Sequence, residues 1–122
     1  MNLLLDSVIL IDHFRGVAAA SAYLGRVQRN AMLSVITRAE VLAGFGEEGL
    51  PVATALLDRF PTLPIDIPVA DLAAKLRREH RWKMPDALQA AMARYHSLSL
   101  VTRNTKDFPP ARFAWVSVPY SL

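Results

Sequence analysis

Residues 85–108 read PDALQAAMARYHSLSLVTRNTKDF, and this segment joins three local patterns in succession. Apolar side chains recur at helical spacing over residues 86–96, which predicts an amphipathic helix. Residues 98–102 form a short apolar run typical of a buried strand, and the polar residues 103–107 predict a loop. A helix that leads directly into a buried strand is typical of an α/β domain.

The same alternation extends over the rest of the chain. Further strands are predicted at residues 2–5, 31–35, 65–67 and 114–118, and further helices at residues 8–15, 18–29, 37–45, 50–60 and 68–80. Because the strands are short and apolar, we expect a mainly parallel central sheet that is covered by helices on both faces. Residues 1–122 are long enough for one such domain and too short for two.

Composition excludes several kinds of site. The chain has no cysteine, so disulfides, thiolate nucleophiles and sulfur-rich zinc sites are excluded. Its formal charge of +3 is compatible with a polyanionic partner, and its hydrophobic fraction of 52% predicts apolar surface covered by another copy or another protein. No apolar run approaches the roughly 18 residues of a membrane span, and Asp6 interrupts the apolar amino-terminal run, so we expect a cytoplasmic protein without a membrane contact.

Acidic side chains follow the predicted strands. Asp6 comes directly after the first strand, Glu40 lies on the helix after the second, Asp86 opens a helix, and Asp107 follows the strand at residues 98–102. Ligands of parallel sheets bind at the carboxyl ends of the strands, and Mg²⁺ or Mn²⁺ prefers oxygen ligands. Taken singly, each acid has an ordinary explanation as a helix cap, a turn residue or a surface charge. Together they predict a metal site.

Four segments carry a resemblance to a known family. MNLLLDSVILIDHFRG, LSVITRAEVLAGF, PDALQAAMARYHSLSLVTRNTKDF and WVSVP resemble PIN-domain ribonucleases, especially the VapC-like toxins of bacteria. The resemblance spans nearly the whole chain and implies a single PIN-like domain. It also implies catalytic, metal-binding roles for Asp6, Glu40 and Asp86, with the fourth acidic position at Asp107 or, as a polar ligand, at Asn104. The chain departs from the family pattern at Ser7, where threonine is common, and at Val8, where a polar residue is common.

The resemblance further implies an activity and partners. It implies an endoribonuclease toxin that uses Mg²⁺ or Mn²⁺ and attacks structured RNA, leaving a 5′-phosphate and a 3′-hydroxyl. It also implies a homodimer and a cognate antitoxin, through which alone the protein would contact DNA. Two other interpretations stay open. One is a non-catalytic RNA-binding or protein-interaction module of the same fold, and the other is a phosphoryl hydrolase with an aspartyl nucleophile, which the lack of a second aspartate two residues after Asp6 disfavours.

Other polar residues are auxiliary candidates. Ser7 is placed to hydrogen-bond near the site, whereas Arg103 and Lys106 flank it and would bind RNA or pair with the site carboxylates in the metal-free protein. The densest basic stretch surrounds Trp82 and would either guide RNA or form a solvated helix face; it comprises Lys75, Arg77, Arg78, Arg81 and Lys83. The apolar residues of the middle helices are expected to be either core or a partner surface; they are Phe45, Leu56, Leu57 and Phe60.

Overall fold

The computed structural model describes residues 2–122. It contains five strands, β1 Leu3–Leu5, β2 Ala31–Ser34, β3 Thr62–Leu63, β4 Ser99–Val101 and β5 Val116–Ser117. Its helices are α1 Ser7–Phe14, α2 Ala18–Val27, α3 Val35–Leu42, α4 Leu50–Leu57, α5 Ile67–His80 and α6 Met84–Tyr95, with a 3₁₀ turn at Gln28–Asn30. The predicted alternation of short strands and helices is therefore confirmed.

The strands form one parallel sheet in the order β3-β2-β1-β4-β5. The strand order runs outward in both directions from β1, so the carboxyl ends of β1 and its two neighbours surround the point where ligands bind in such sheets. Leu5 of β1 is in register with Val101 of β4. The residues that follow these two strands, Asp6 and Thr102, are thereby brought side by side.

Helices cover both faces of the sheet. Adjacent residues of a strand point to opposite faces, and accordingly Leu4 packs with α5 and α6 whereas Leu5 packs with α1, α3 and α4. The first cluster also buries Trp82 and Phe108, which anchors the segments on either side of α6 and β4. The helix that carries Asp86 and the loop that carries Asp107 are therefore tied to the same core.

The structure corrects the predicted position of the third strand. It was expected at residues 65–67 but forms at Thr62–Leu63. Asp66 instead begins α5 as its amino-terminal cap, because its Oδ1 accepts a hydrogen bond from the backbone N–H of Val69 at 3.1 Å. Ile67 becomes the first residue of that helix.

The apolar residues of the middle helices divide between the two expected roles. Leu57 and Phe60 belong to the core, whereas Leu56 is only partly buried. Phe45 lines a cavity that opens between α1 and the end of α3. Over residues 2–122, every helix is too short or too polar to span a membrane.

Candidate metal centre

Asp6 is held at the carboxyl end of β1 by groups from three elements. Its Oδ1 accepts hydrogen bonds from the backbone N–H of Ser7 at 2.9 Å and from Gln89 Nε2 at 3.3 Å, and its Oδ2 accepts one from Thr102 Oγ1 at 2.7 Å. The residue is 7% exposed. Asp6 is indeed the cap of α1, as the ordinary explanation of this residue required. The same carboxylate also faces the other acids of this edge.

Gln89 is a residue of this site that the sequence did not reveal. It is fully buried on α6, where Nε2 donates to Thr37 Oγ1 at 2.7 Å as well as to Asp6, and Oε1 accepts from Ser34 Oγ at 2.6 Å. Thr37 Oγ1 in turn donates to the backbone carbonyl of Leu5 at 3.1 Å. One side chain thus connects the carboxyl ends of β1 and β2. The sequence does contain one indication of this role: Gln89 places an amide three residues after Asp86, on a helix face that is otherwise apolar.

The pKa of Asp86 shows that the four predicted acids share one electrostatic environment. Burial is the largest cause that raises the pKa of its carboxyl, the negative charges of Asp6, Asp107 and Glu40 add to it, and Lys83 opposes them; together they bring this pKa to about 6. Like charges within a few ångströms disfavour ionisation unless a cation accompanies them. The carboxyl ends of the strands therefore form a locally acidic edge in a protein of net positive charge.

Glu40 lies at the outer rim of this edge. The residue as a whole is solvent-exposed, yet partial burial of its carboxyl raises its pKa, the charge of Asp6 adds to that effect, and a hydrogen bond with Ser7 opposes it. The predicted auxiliary residue Ser7 therefore contacts Glu40. Its backbone N–H donates to Asp6, and its side chain lies beside Glu40.

Asn104 and Asp107 belong to one turn after β4. The backbone N–H of Asn104 donates to Thr102 Oγ1 at 3.0 Å, so this hydroxyl links the turn to Asp6. Asn104 Nδ2 donates to Asp107 Oδ2 at 3.0 Å, and the backbone N–H of Asp107 donates to Asn104 Oδ1 at 3.3 Å. The two candidates for the fourth ligand are thus bonded to each other, with the amide orienting the carboxylate.

The donor set fits a hard divalent cation, but it does not form a closed cage. In the part of the chain that the structure describes, no three His, Cys, Asp or Glu side chains converge tightly enough to hold a metal ion alone. Mg²⁺ is commonly bound by one or two protein carboxylates and several waters, so a loose acidic rim suits it. No ion pair within residues 2–122 neutralises Asp6, Glu40, Asp86 or Asp107, which leaves their charge available to a cation.

The structure overturns the expected pairing of Arg103 with the site carboxylates. Its Nε and an Nη donate to the two carboxylate oxygens of Asp12 at 2.6 and 2.9 Å, and Tyr120 Oη donates to Asp12 Oδ2 at 2.8 Å. The hydrogen bond with Arg103 lowers the pKa of Asp12 despite its burial. Arg103 is committed to a structural pair between α1 and the loop after β4. Lys106, by contrast, is exposed and lies in a cavity beside Asp107.

The basic stretch around Trp82 does not form one continuous surface. Lys75, Arg77 and Arg78 are exposed on α5, where Lys75 lies 3.9 Å from Glu79. Trp82 is 6% exposed and packs in the core, so it offers no open face for a base. Arg81 lies on the side of the molecule that carries Asp107, since both residues line the same cavity, and Lys83 is close enough to Asp86 to lower its pKa.

Comparison with known proteins identifies the family of this chain. The sequence model of the PIN-domain family matches residues 3–113, and the chain therefore belongs to this family. It is 34% identical to ribonuclease VapC10 of Mycobacterium tuberculosis, over 98% of this chain and 94% of that protein. The VapC-like resemblance is thereby confirmed.

Solved structures lead to the same family. A toxin–antitoxin complex from Klebsiella pneumoniae contains a chain that superposes with a TM-score of 0.88 at 36% identity, covering 98% of this chain and 99% of that one. The FitAcB structure from Neisseria gonorrhoeae gives a TM-score of 0.81 at 29% identity, with 98% and 99% covered. The predicted α/β architecture is that of these proteins.

Proposed function

We propose that this protein is a metal-dependent endoribonuclease and the toxin of a toxin–antitoxin pair. The acidic edge formed by Asp6, Glu40, Asp86 and Asp107 is the observation that carries the proposal, because burial and neighbouring negative charge raise the pKa values of Asp86 and Glu40, and a divalent cation would relieve this repulsion. The names of the relatives, a ribonuclease VapC and a toxin–antitoxin complex, support the same activity. We propose that the protein acts in the cytoplasm, where it would encounter both its RNA substrate and its antitoxin.

The protein groups would have distinct tasks at this site. Asp6 is fixed by three hydrogen-bond donors and would be the most firmly oriented ligand, while Asp86 and Glu40 would complete the site from α6 and α3. Asp107 would approach from the turn that Asn104 holds in place. Bound Mg²⁺ or Mn²⁺ would polarise the scissile phosphate and lower the pKa of the attacking water. The proposed products carry a 5′-phosphate and a 3′-hydroxyl.

Purified protein tests the catalytic part of the proposal. The wild type is expected to cleave RNA with Mg²⁺ or Mn²⁺ and to lose this activity with a chelator. Asp6→Asn and Asp86→Asn should each reduce cleavage by at least about a hundredfold, since a carboxylate ligand is lost. The matched control is Asp71→Asn, an exposed carboxylate of α5 outside the site, which should cleave at the wild-type rate. Folded Asp6 and Asp86 variants that retain full activity would exclude this mechanism, and tight RNA binding without any cleavage would support the non-catalytic module.

An apolar groove between α1 and the end of α3 is our proposed antitoxin site. It is a cavity of about 290 Å³ lined by Ile11, Phe14, Arg15, Val41, Gly44 and Phe45. Phe14 and Phe45 pack edge to face at 4.9 Å between ring centroids and form an apolar wall of the groove. Arg15 is the one cation of the lining among the described residues. An amphipathic antitoxin segment with an acidic flank would fit such a groove. The solved neighbours include one described as a toxin–antitoxin complex, from Klebsiella pneumoniae.

Growth rescue tests the groove independently of catalysis. Phe45→Lys places a charge on the apolar wall and should abolish neutralisation by the co-expressed antitoxin while RNA cleavage continues. Tyr95→Lys is the control, because Tyr95 is 50% exposed on α6 and lies outside the groove. Full rescue of the Phe45→Lys protein would show that the antitoxin binds elsewhere.

We also propose a homodimer. Val52 of α4 and Ile67 of α5 are 68% and 77% exposed, which is unusual for large aliphatic side chains and suits a surface covered by a second copy. Sedimentation of the isolated protein should give twice the chain mass, and Val52→Glu together with Ile67→Glu should shift it towards the monomer. A wild type that sediments as a monomer at all concentrations would refute the dimer.

A further inference from the structure

A second cavity lies beside Asp107 and shares no residue with the apolar groove. Its volume is about 180 Å³, and its lining residues are His80, Arg81, Trp82, Lys106, Asp107, Pro109, Arg112 and Phe113. They come from the end of α5, the segment that leads into α6, and the loop after β4. We call it the Arg81 pocket. It lies against the acidic edge, since Asp107 lines the pocket and also raises the pKa of Asp86.

The pocket is strongly cationic. Arg81, Lys106 and Arg112 are exposed, and within residues 2–122 none of them forms an ion pair. The sole carboxylate of the lining, Asp107, already accepts a hydrogen bond from Asn104. Three unpaired cations around one small cavity favour an anion and disfavour a second metal ion.

The pocket is rigidly built. Its floor is the buried indole of Trp82, on which the His80 ring stacks at 4.3 Å and against which Phe113 packs at 5.6 Å. Trp82 Nε1 donates to the backbone carbonyl of Asp107 at 3.1 Å. The floor of the pocket and the turn that carries a site carboxylate are therefore one connected unit.

Arg81 occupies a backbone conformation that glycine would adopt more easily. Its φ of 58° and ψ of 32° are left-handed, and it ends α5 by donating its N–H to the carbonyl of Arg77 at 2.8 Å. A side chain there is strained relative to a right-handed conformation, and helices commonly use glycine at such ends. The end of α5 does not itself require an arginine at this position, which leaves the side chain available to the pocket.

We propose that the Arg81 pocket binds an RNA phosphate that neighbours the scissile phosphate. The inference rests on the proposed ribonuclease function and adds to it the place where the substrate is anchored. The acidic edge repels a polyanion, so an RNA strand that reaches it requires compensating positive charge close by. The Arg81 pocket supplies that charge next to Asp107, whereas Arg103 cannot because its guanidinium is occupied by Asp12.

RNA binding without cleavage tests the proposal. The probe is a fluorescently labelled single-stranded RNA oligonucleotide, measured by anisotropy with the Asp86→Asn protein in chelator over a series of salt concentrations. Lys106→Gln and Arg112→Gln should each weaken binding roughly three- to tenfold and reduce the slope of log K against log salt by about 0.7. Arg29→Gln is the control, because Arg29 is exposed on the 3₁₀ turn before β2. This turn lies at the amino end of the strand, whereas the acidic edge lies at the carboxyl ends.

Arg81→Gly separates binding from folding. Glycine relieves the left-handed strain, so this variant should be at least as stable as its parent, yet it should bind RNA as weakly as the other two pocket variants. Affinities and salt slopes of the pocket variants that match those of Arg29→Gln would overturn the proposal. An equal loss in Arg29→Gln would overturn it too, because the effect would then follow net charge alone.

The cleavage assay keeps this inference distinct from the proposed function. If the wild type cleaves RNA and the pocket variants keep their KM, only the pocket assignment fails. If the wild type never cleaves RNA, the ribonuclease proposal fails, while the binding series in chelator still decides whether the pocket holds a phosphate. A raised KM with an unchanged kcat in the pocket variants supports both.

Discussion

Replacing Gln89 by methionine should separate the hydrogen bonds of the site from its packing. Methionine has a similar volume and an unbranched side chain, so it can fill the fully buried position without a cavity. It can neither donate to Asp6 and Thr37 nor accept from Ser34. The variant therefore removes three contacts of one side chain and leaves the surrounding core in place.

The expected loss of stability follows from the groups that are left behind. Ser34 and Thr37 are completely buried, so the Ser34 hydroxyl loses its acceptor and Thr37 Oγ1 loses a donor without replacement by bulk water. Each unsatisfied buried group costs about 1–3 kcal/mol, and Asp6 keeps two other donors. Because neighbouring losses overlap, we expect a total of about 2–4 kcal/mol.

Urea denaturation of the metal-free protein measures this loss. With a slope of about 2 kcal/mol/M, in the middle of the usual range, the midpoint should fall by about 1–2 M at unchanged slope. Leu88→Met is the control, because Leu88 is a partly buried neighbour on the same helix and its replacement removes no hydrogen bond. Metal affinity of Gln89→Met should also fall about tenfold or more, since an outer partner of a ligand is lost. A midpoint equal to that of Leu88→Met would refute the reasoning.

Two further predictions concern charge. Asp12→Asn should cost about 2–3 kcal/mol at pH 7 because Arg103 is left without its carboxylate. Since the pKa of Asp12 is lowered from 3.8, the difference from the wild type should be complete down to about pH 5 and should shrink only as the pH falls below 3.8 and through the lowered pKa. A difference in thermal denaturation that already shrinks between pH 7 and pH 5 would contradict it. The pKa of Asp86 is raised to about 6, so the metal-free protein should lose stability as the pH rises from 4 to 7. Calorimetry should accordingly show that Mn²⁺ binds severalfold more weakly at pH 5.5 than at pH 7.5. Asp86→Asn should remove this pH dependence of the metal affinity. If the variant keeps the same pH dependence, a group other than Asp86 is responsible for it.

The sequence predicted those parts of the site that follow from local patterns. Asp6 directly follows an apolar strand, and Asp86 lies in the first turn of an amphipathic helix that begins at Met84, two residues before its predicted start. The position of each acid could therefore be inferred from its immediate neighbours. The third strand could not be placed in this way, because it has only two residues and the capping of α5 by Asp66 competes with extension of the strand beyond them.

Contacts between distant residues were beyond local reasoning. Gln89 is 83 residues from Asp6 in the chain, and Arg103 is 91 residues from Asp12. Nothing near Arg103 in the sequence distinguishes Asp12 from the site acids as its partner. Pairing with the site was expected because Arg103 adjoins Asn104, whereas the parallel pairing of β1 with β4 brings the loop after β4 to α1 instead.

The hydrogen bonds of Asp6 show why its capping role and its proposed metal role are compatible. A carboxylate has about four acceptor positions, and Asp6 uses three of them, two on Oδ1 and one on Oδ2. All three donors are neutral, so they fix the orientation of the carboxylate without neutralising its charge. A structural cap alone would need the bond from Ser7 and no more. The additional bonds from Gln89 and Thr102 hold a buried negative charge in one orientation with one position on Oδ2 free, which is what binding of a divalent cation at this atom would require.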